Sequence, residues 1–480
     1  MKKRNEDVMR KRIAAKLLNF RLIIVVMAAI SIGACIFEPI SKNLQLTNKG
    51  QVFFYLSCSQ KPAFDISFSI SGMSFMNKEG EWIDAAVDKR VHSAGLAQSQ
   101  IKLCELYLPA GKYERIRWTI SEAKLEKYGK IFNLVLPQPG GNHFFDMEFS
   151  VFSGESFAFF TDWNPEESVF DKYLFRPKMT MRKQGIEIKK VLLYVTNLGS
   201  NSVTVIDRQQ DRVVATIAVD QSPMGIVASP DGDKIYVANS DSGNISVIDT
   251  GLNRVINTIA NFGYSPAELA LSGDGLTLYV TNPDSDNISV IDTFSNMVTG
   301  YISVGNNPAD ILFDQDRRKV YVANKASNSV SIIDVNTSAV EDTVTVGFNP
   351  TGMVVHQDKL YVINAGSNSI SVVDIPSYSV TKTILLSQKP MGLVSGLSGR
   401  IYVSNTGNEV SFIYTSMDMT TGNILVGDLP SQMVVESLRR KLYVVNTLSE
   451  DLSVIDLTTR RLKTVIQVGR GPHGIAMIEE

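Results

Sequence analysis

The sequence predicts an all-β chain in which an N-terminal β-sandwich is followed by a seven-bladed β-propeller. The phrase YVANSDSGNISVID, which begins at Tyr236, returns in nearly the same form along the second half of the chain. Each copy holds four short apolar stretches separated by Asn, Gly, Ser and Asp, which is the strand content of one propeller blade. The stretch before the repeats alternates apolar and polar residues, and this period of two is typical of half-buried strands.

The first 34 residues predict an export signal. They hold eight basic residues, then the uncharged run LIIVVMAAISIGA, then Cys35. The run has the length of a signal peptide and is too short to span a bilayer comfortably. Gly33, Ala34 and Cys35 resemble the lipobox of bacterial lipoproteins, with Ile32 where Leu is more usual. The resemblance implies cleavage of residues 1–34 and a lipid on Cys35, with residues 35–50 as a tether to the membrane.

This reading predicts an exported protein of the cell envelope, lipid-anchored on the periplasmic or cell-surface side of a membrane. A plain signal peptide and an N-terminal anchor helix are the alternatives. The whole chain holds 47 Lys and Arg against 49 Asp and Glu, and without residues 1–34 the balance is 39 against 47. An acidic balance argues against a nucleic-acid partner, because such partners select a basic surface.

Residues 51–175 are predicted to form the sandwich. The segments DISFSISG and RIRWTI alternate apolar and polar residues, and Gly and Pro separate them as turns do. Cys58 and Cys104 are an even pair in an exported chain and thus a candidate disulfide, with two buried thiols as the alternative. The segment LPAGKYERIRW resembles a domain of unknown function from bacterial and archaeal envelope lipoproteins, which implies a sandwich and no activity. The basic, poorly patterned residues 176–190 are predicted to be a linker.

Residues 191–480 are predicted to form the propeller. A strand headed by Tyr recurs seven times at spacings of 40 to 43 residues, at Tyr194, Tyr236, Tyr279, Tyr321, Tyr361, Tyr402 and Tyr443. The chain enters the repeat at its second strand and ends after a lone first strand. Pairing of this C-terminal strand with the first blade would close the ring and remove exposed sheet edges.

The repeats resemble the YVTN family of seven-bladed propellers, since YVTN is spelled at Tyr194–Asn197 and again at Tyr279–Asn282. The resemblance covers nearly all of residues 191–480. It implies the fold far more firmly than a function, because the family is known from surface-layer and envelope proteins and has lactonases and redox enzymes among its distant relatives.

The loops that lead into each first strand are the candidate site, because they converge at one mouth of a propeller channel. All seven carry Pro, and two residues beyond it stand Gly225, Glu268, Asp310, Gly352, Gly392, Gln432 and Gly474. Glu268 and Asp310 therefore lie on adjacent blades, and Lys389, Gln432, Arg470 and His473 join them around the rim. Glu268, Asp310 and His473 are the catalytic candidates. The alternative is that the acidic residues only cap strand amides.

Two recurrent polar positions are assigned to structure. The Asp residues that end each third strand are predicted to accept backbone amides of the next turn, because one reaction does not need six identical copies. The Asn residues after the Tyr strands are predicted to form turns. The histidines show no metal-binding spacing, and no haem, nucleotide or nucleophile motif is evident, so neither a metal nor a cofactor is predicted.

Three functions remain open. The first is a non-enzymatic envelope lipoprotein whose propeller is a binding scaffold for a protein or glycan partner. The second is a lactonase-like hydrolase with its site at the channel mouth. The third, with least support, is an accessory factor for envelope redox proteins.

Overall fold

The computed structural model describes residues 48–58, 62–96, 99–136, 140–171, 173–185, 191–260 and 265–478. The predicted signal peptide 1–34, the lipidation site Cys35 and the tether up to residue 47 lie outside the described residues. Within the described part of the chain, no helix is long and apolar enough to cross a bilayer.

The N-terminal strands occupy the segments in which the sequence alternates. A single-turn helix α1 (Ser93–Leu96) and a 3-10 turn (Glu166–Ser168) accompany them. The strands are β1 (Lys49–Ser57), β2 (Asp65–Asn77), β3 (Trp82–His92), β4 (Gln100–Pro109), β5 (Gly111–Lys127), β6 (Lys130–Asn133), β7 (Asn142–Val151), β8 (Ser156–Asn164), β9 (Val169–Phe170), β10 (Leu174–Phe175) and β11 (Lys178–Lys183).

Two sheets of these strands pack face to face as a sandwich. One sheet has the order β11-β8-β1-β4, and the other has the order β3-β2-β5, with β6 and β7 both paired to β5. Phe54 of β1, Phe68 of β2 and Trp118 of β5 meet in one buried core. The alternating apolar residues seen in the sequence are therefore the inward faces of both sheets.

Part of the predicted linker is a strand. Residues 178–183 form β11, which pairs antiparallel with β8. Met179 and Met181 pack against the sandwich core, whereas Lys178, Thr180 and Arg182 are exposed. The segment looks unpatterned in the sequence because its outer face is mostly basic and its inner face uses Met, a weak strand signal.

The candidate disulfide is not formed, and both cysteines are thiols. Cys104 stands opposite Phe54 in the β1–β4 ladder, four residues away from Cys58 along β1. At about 3.3 Å per residue, that offset is roughly twice the Cα separation that a disulfide allows. The Cys104 Sγ instead lies 3.7 Å from the Met73 Sδ in the sandwich core.

The repeats form the remaining strands, four to a repeat. They are β12 (Leu192–Asn197), β13 (Ser202–Asp207), β14 (Arg212–Ala218), β15 (Pro223–Ala228), β16 (Lys234–Asn239), β17 (Asn244–Asp249), β18 (Arg254–Ile259), β19 (Leu269–Leu271), β20 (Thr277–Asn282), β21 (Asn287–Asp292), β22 (Met297–Ser303), β23 (Pro308–Asp314), β24 (Lys319–Asn324), β25 (Ser329–Asp334), β26 (Ala339–Thr345), β27 (Pro350–His356), β28 (Lys359–Asn364), β29 (Ser369–Asp374), β30 (Ser379–Leu385), β31 (Pro390–Ser395), β32 (Arg400–Asn405), β33 (Glu409–Tyr414), β34 (Met419–Leu425), β35 (Pro430–Glu436), β36 (Lys441–Asn446), β37 (Asp451–Asp456), β38 (Arg461–Gln467) and β39 (Pro472–Met477).

In the described residues these strands make seven antiparallel sheets of four, the blades of a propeller. Blade 1 consists of β39, β12, β13 and β14, so the last strand of the chain pairs with the first strand of the repeats. Blades 2 to 7 follow in chain order from β15. Each blade's innermost strand contacts the innermost strands of its two neighbours, and β39 contacts both β15 and β35.

Several of the recurrent Tyr residues donate a hydrogen bond to the next blade, whereas the buried hydroxyl of Tyr321 has no partner among the described residues. Tyr194 donates to the Asn253 Oδ1 at 3.1 Å, and Tyr361 donates to the Asp418 Oδ1 at 2.6 Å. In both pairs the acceptor lies in the turn before the outermost strand of the following blade. A buried phenol that bridges two blades explains why the repeats keep Tyr at this position.

The recurrent Asp and Asn have different roles. Asp249 and Asp334 accept backbone amides from the turn that follows, as predicted. The Asn residues begin the turns, as predicted, because the backbone carbonyls of several of them accept an amide from three residues further on, but their side chains have a second role. Asn324 is fully buried, and its Nδ2 donates to the Ser331 Oγ of the next strand at 2.9 Å. The residue with a positive φ in this turn is Asn328, at 54°. The side chain of Asn324 therefore stabilises the hairpin by a hydrogen bond between its two strands.

The sandwich packs against blades 1 and 7. Phe53 and Tyr55 of β1 turn away from the sandwich core and share a buried cluster with Val195 of blade 1 and Val454 of blade 7. Strand β1 is thus buried on both faces, which explains its unbroken apolar run VFFYL. The outermost strand of blade 1, β14, is buried along most of its length, whereas that of blade 5, β30, is mostly exposed.

Side chains of the sandwich also cap the exposed edge of β14. The amide of Val213 donates to the Gln100 Oε1 at 3.0 Å, and that of Thr216 donates to the Gln184 Oε1 at 3.0 Å. These two glutamines satisfy edge N–H groups that would otherwise be open to pairing with another chain. Glu105 gathers three further groups, since its carboxylate accepts from Gln51, Ser200 and Arg470.

We expect Glu105→Ala to destabilise the fold by about 2 kcal/mol, because it leaves the donors of Gln51 and Ser200 without a charged acceptor in a buried contact. Chemical denaturation followed by circular dichroism measures the change. Glu79→Ala, in an exposed turn of the sandwich, is the control and should change the stability by less than about 0.5 kcal/mol. Equal stabilities of the two variants would contradict this account of the interface.

Candidate functional site

The seven Pro loops meet at one end of the channel. Six of the seven Pro residues are the first residue of an innermost strand, a position that Pro tolerates because no ladder hydrogen bond needs its amide. The exception is Pro266, which precedes β19 by three residues. The strands that begin at Pro thus place the residues two positions beyond it at the mouth of the channel. These are the positions predicted from the sequence.

Crowding at the axis dictates glycine at several of these positions. A Cβ added to Gly225, Gly392 or Gly474 would lie 2.4 Å from a backbone carbonyl oxygen of the next blade. Such a contact is far shorter than van der Waals separation, so a side chain cannot be built there without moving a blade. The space cleared by these glycines is taken up by the three polar side chains of the same ring, those of Glu268, Asp310 and Gln432.

Gln432 and Glu268 form a bridge across the channel. The Gln432 Nε2 donates to the Glu268 Oε1 at 3.0 Å, although one residue belongs to blade 7 and the other to blade 3. The amide of Ile475, in blade 1, donates to the Gln432 Oε1 at 3.3 Å. The backbone amide of Met353, in blade 5, donates to the Asp310 Oδ2 at 2.6 Å. These contacts connect five blades at the axis.

A cavity of about 490 Å³ opens at this mouth. Of the residues predicted from the sequence, Glu268, Asp310, Lys389, Gln432 and His473 line it. The structure places Arg470 elsewhere: its guanidinium pairs with Glu105 of the sandwich at 2.9 Å. Arg470 was wrongly assigned to the mouth because the sequence does not reveal that the sandwich docks beside it.

Burial changes the protonation of the two acids. Loss of water and the negative charge of Asp310 raise the pKa of Glu268 to about 8, although the amide of Gln432 opposes the shift. Loss of water raises the pKa of Asp310 to about 7, against the effect of the backbone amides that it accepts. Near neutral pH the pair therefore holds at least one proton, and one carboxyl can donate while the other accepts.

Other groups of the cavity lack partners within the described residues. The His473 Nδ1 and the Thr351 Oγ1 are buried and make no hydrogen bond there. Burial lowers the pKa of His473, so its ring is neutral at physiological pH. No group of three or more His, Cys, Asp or Glu side chains is placed to hold a metal ion in the described part of the chain.

Sequence reasoning missed Lys325, Asn349 and Thr351, which also line the cavity. Lys325 directly follows Asn324, at the end of a second strand, and such ends lie at the same face as the Pro loops in an antiparallel blade. The position of Lys325 directly after a second strand is therefore a signal in the sequence that predicts its place at the mouth. The unpaired hydroxyl of Thr351 carries no signal in the sequence.

No family model and no curated protein matches the chain. Among solved structures, a protein of unknown function from Desulfotomaculum acetoxidans is similar with a TM-score of 0.55 and 13% identity, over 60% of this chain and 99% of that one. A candidate 6-phosphogluconolactonase of Bacteroides fragilis has a TM-score of 0.53 and 14% identity, over 61% and 99% of the two chains. The hydrazine synthase of Kuenenia stuttgartiensis has a TM-score of 0.49 and 20% identity, over 53% and 89%. At such low identity, the first two likenesses show the β-propeller fold and nothing of the function.

The raised pKa of Glu268 predicts how a Glu268→Gln variant will respond to pH. Because the pKa is higher in the folded protein, the carboxyl favours folding below its ordinary pKa and loses that contribution as pH rises through about 8. Gln stays neutral, so the variant should gain stability relative to the parent between pH 5 and pH 8, by on the order of 2 kcal/mol. Denaturant titrations at the two pH values measure this gain. A Glu79→Gln control should show none, and a pH-independent difference for Glu268→Gln would contradict the assignment.

Proposed function

We propose that the protein is an exported, lipid-anchored binding module of the cell envelope. In this proposal residues 1–34 are a signal peptide, Cys35 carries the lipid, and the seven blades form a closed propeller of the YVTN type. The sandwich holds the propeller near the membrane, and the channel mouth binds one end of a glycan or protein partner. Such a role suits a propeller, because a rigid ring displays loops of variable sequence at one face.

The cavity at the mouth is the observation that carries the proposal. Its volume of about 490 Å³ lies in the range of small-ligand sites, and its lining mixes apolar residues with a few polar groups. The hydroxyl of Thr351 and the Nδ1 of His473 face no protein partner within the described residues. A ligand with several hydroxyl groups, such as the terminal unit of a glycan, would supply hydrogen-bond partners for these groups.

Filling the cavity tests the proposal. Ala309 lines the cavity at a ring position where other blades carry Met224, Met391 and His473, so Ala309→Trp should fold and occlude the site. The full-length protein in mild detergent is titrated calorimetrically with mono- and disaccharides, cell-wall fragments and short peptides. A ligand found with the parent should bind at least about tenfold more weakly to Ala309→Trp, because the indole takes its volume.

Asn336→Trp is the matched control, since this exposed residue lies in the turn between β25 and β26, at the other end of the same blade. It should bind the ligand as the parent does. Equal affinities of the two Trp variants would show that the mouth cavity is not the binding site. If no member of the panel binds to the parent, the proposal is rejected for small ligands and glycan ends.

The paired carboxyls favour one enzymatic alternative, hydrolysis of a lactone. With pKa values of about 7 and about 8, the Asp310 carboxylate could take a proton from a water while the water oxygen attacks the lactone carbonyl. The Glu268 carboxyl would then give its proton to the ring oxygen as the acyl–oxygen bond breaks. Two groups whose pKa values lie near neutral pH suit such acid–base work.

This alternative predicts turnover of at least one of a panel of aldonolactones and aliphatic lactones, measured by release of acid. Glu268→Gln and Asp310→Asn should each lower kcat at least about 100-fold, because each removes one proton transfer. The exposed Glu79→Gln should leave turnover unchanged. Lack of turnover by the parent, or full activity of Asp310→Asn, would reject the lactonase reading and leave the binding module.

A further inference from the structure

One wall of the mouth cavity carries two lysines separated by a gap. Lys325 follows the second strand of blade 4, and Lys389 precedes the first strand of blade 6. Between them, blade 5 presents Ala365 and Gly366, with Ala365 at the position equivalent to Lys325. A Cβ at Gly366 would lie 2.8 Å from the Asn349 Nδ2, so this part of the wall stays without side chains. All of these residues line the same cavity.

Among the residues that the structure describes, no carboxylate neutralises the two ammonium groups. In the described segments, neither Lys325 nor Lys389 forms an ion pair with a carboxylate, in contrast to Lys319 and Lys359, which pair with Asp334 and Asp418. Loss of water and the positive charge of Lys389 lower the pKa of Lys325. The lysines are therefore close enough to repel each other, which costs free energy that a bound anion would relieve.

Uncharged donors surround the same gap. Asn349 lies in the loop before the first strand of blade 5, and Thr351 lies in that strand. The Thr351 hydroxyl has no hydrogen-bond partner among the described residues. At the same mouth, the carboxyls of Glu268 and Asp310 are largely protonated at mildly acidic pH, and the ring of His473 is neutral. With these groups neutral, the two ammonium groups are the dominant charges at the mouth.

We infer that the wall formed by Lys325, Lys389 and Thr351 is a subsite for the carboxylate or phosphate of a small polyhydroxylated ligand. The inference rests on the proposed binding function and specifies its ligand. The anionic group lies between the two ammonium groups and accepts from the hydroxyl of Thr351. The remaining hydroxyls of the ligand face Glu268 and Gln432, which can both donate and accept.

Calorimetric titration at pH 6.5 and low salt, with the full-length protein, tests the subsite. The probes are glucuronate for the carboxylate, inorganic phosphate for the phosphate and glucose as the uncharged counterpart. Glucuronate or phosphate should bind at least about tenfold more tightly than glucose, and this advantage should shrink as salt is raised. Lys325→Gln and Lys389→Gln should each remove most of the advantage, while the affinity for glucose stays the same.

Lys382→Gln is the control, because Lys382 lies in the exposed outermost strand of blade 5 and outside the cavity. It should leave all three affinities unchanged, and thermal denaturation should show that each Lys variant is folded. If neither glucuronate nor phosphate binds more tightly than glucose does, the anionic subsite is overturned while the proposed binding function stands. Failure of both anions to bind would also overturn it, and the panel with Ala309→Trp would then decide the binding function separately.

Discussion

The crowding of seven strands around one axis is the constraint on which the centre of this molecule depends. Where innermost strands approach to within van der Waals contact, a Cβ would strike the next blade's carbonyl, so Gly225, Gly392 and Gly474 are fixed by geometry. Those glycines leave a space at the axis that the other members of the ring can fill. The same packing rule that holds the blades together thus creates the place where Glu268 and Gln432 meet across the channel.

The sandwich completes the propeller at the blades where the chain's two ends meet. Blade 1 is assembled from both ends of the repeat region, and its outermost strand would be an open edge without the glutamines of the sandwich. Phe53 and Tyr55 of β1 extend the cluster between blades 1 and 7. Strand β1, which carries them, is buried on both faces, so the sandwich is bound to the propeller as a domain core is, by apolar contact with a polar rim.

The sequence predicts the propeller well because each repeat states its own strands, turns and spacing, and the roles of the Asp residues follow from local chemistry. The contacts between distant segments are what the sequence conceals. No residue near Arg470 in the sequence indicates that it forms an ion pair with Glu105 of the sandwich. The alternation in Lys178–Lys183 is hard to recognise because the outer face of this strand is mostly basic. Lys325 is missed for a similar reason, since it joins the cavity through the pairing of strands and not through its neighbours in sequence.

Burial of the polar side chains at the axis costs free energy of folding. An axis filled only by apolar side chains would not have this cost. Apolar side chains such as those of Met353 and Leu393 also line the cavity, and their burial needs no hydrogen-bond partner. Glu268 instead is held away from water with an amide as its hydrogen-bond donor, and burial of a carboxyl without a cation disfavours its charged form. The same cavity is lined by two lysines that pair with no carboxylate of the described chain. Acids and lysines that share one cavity without pairing favour a ligand that contacts both, since a fold selected for stability alone would pair or replace them.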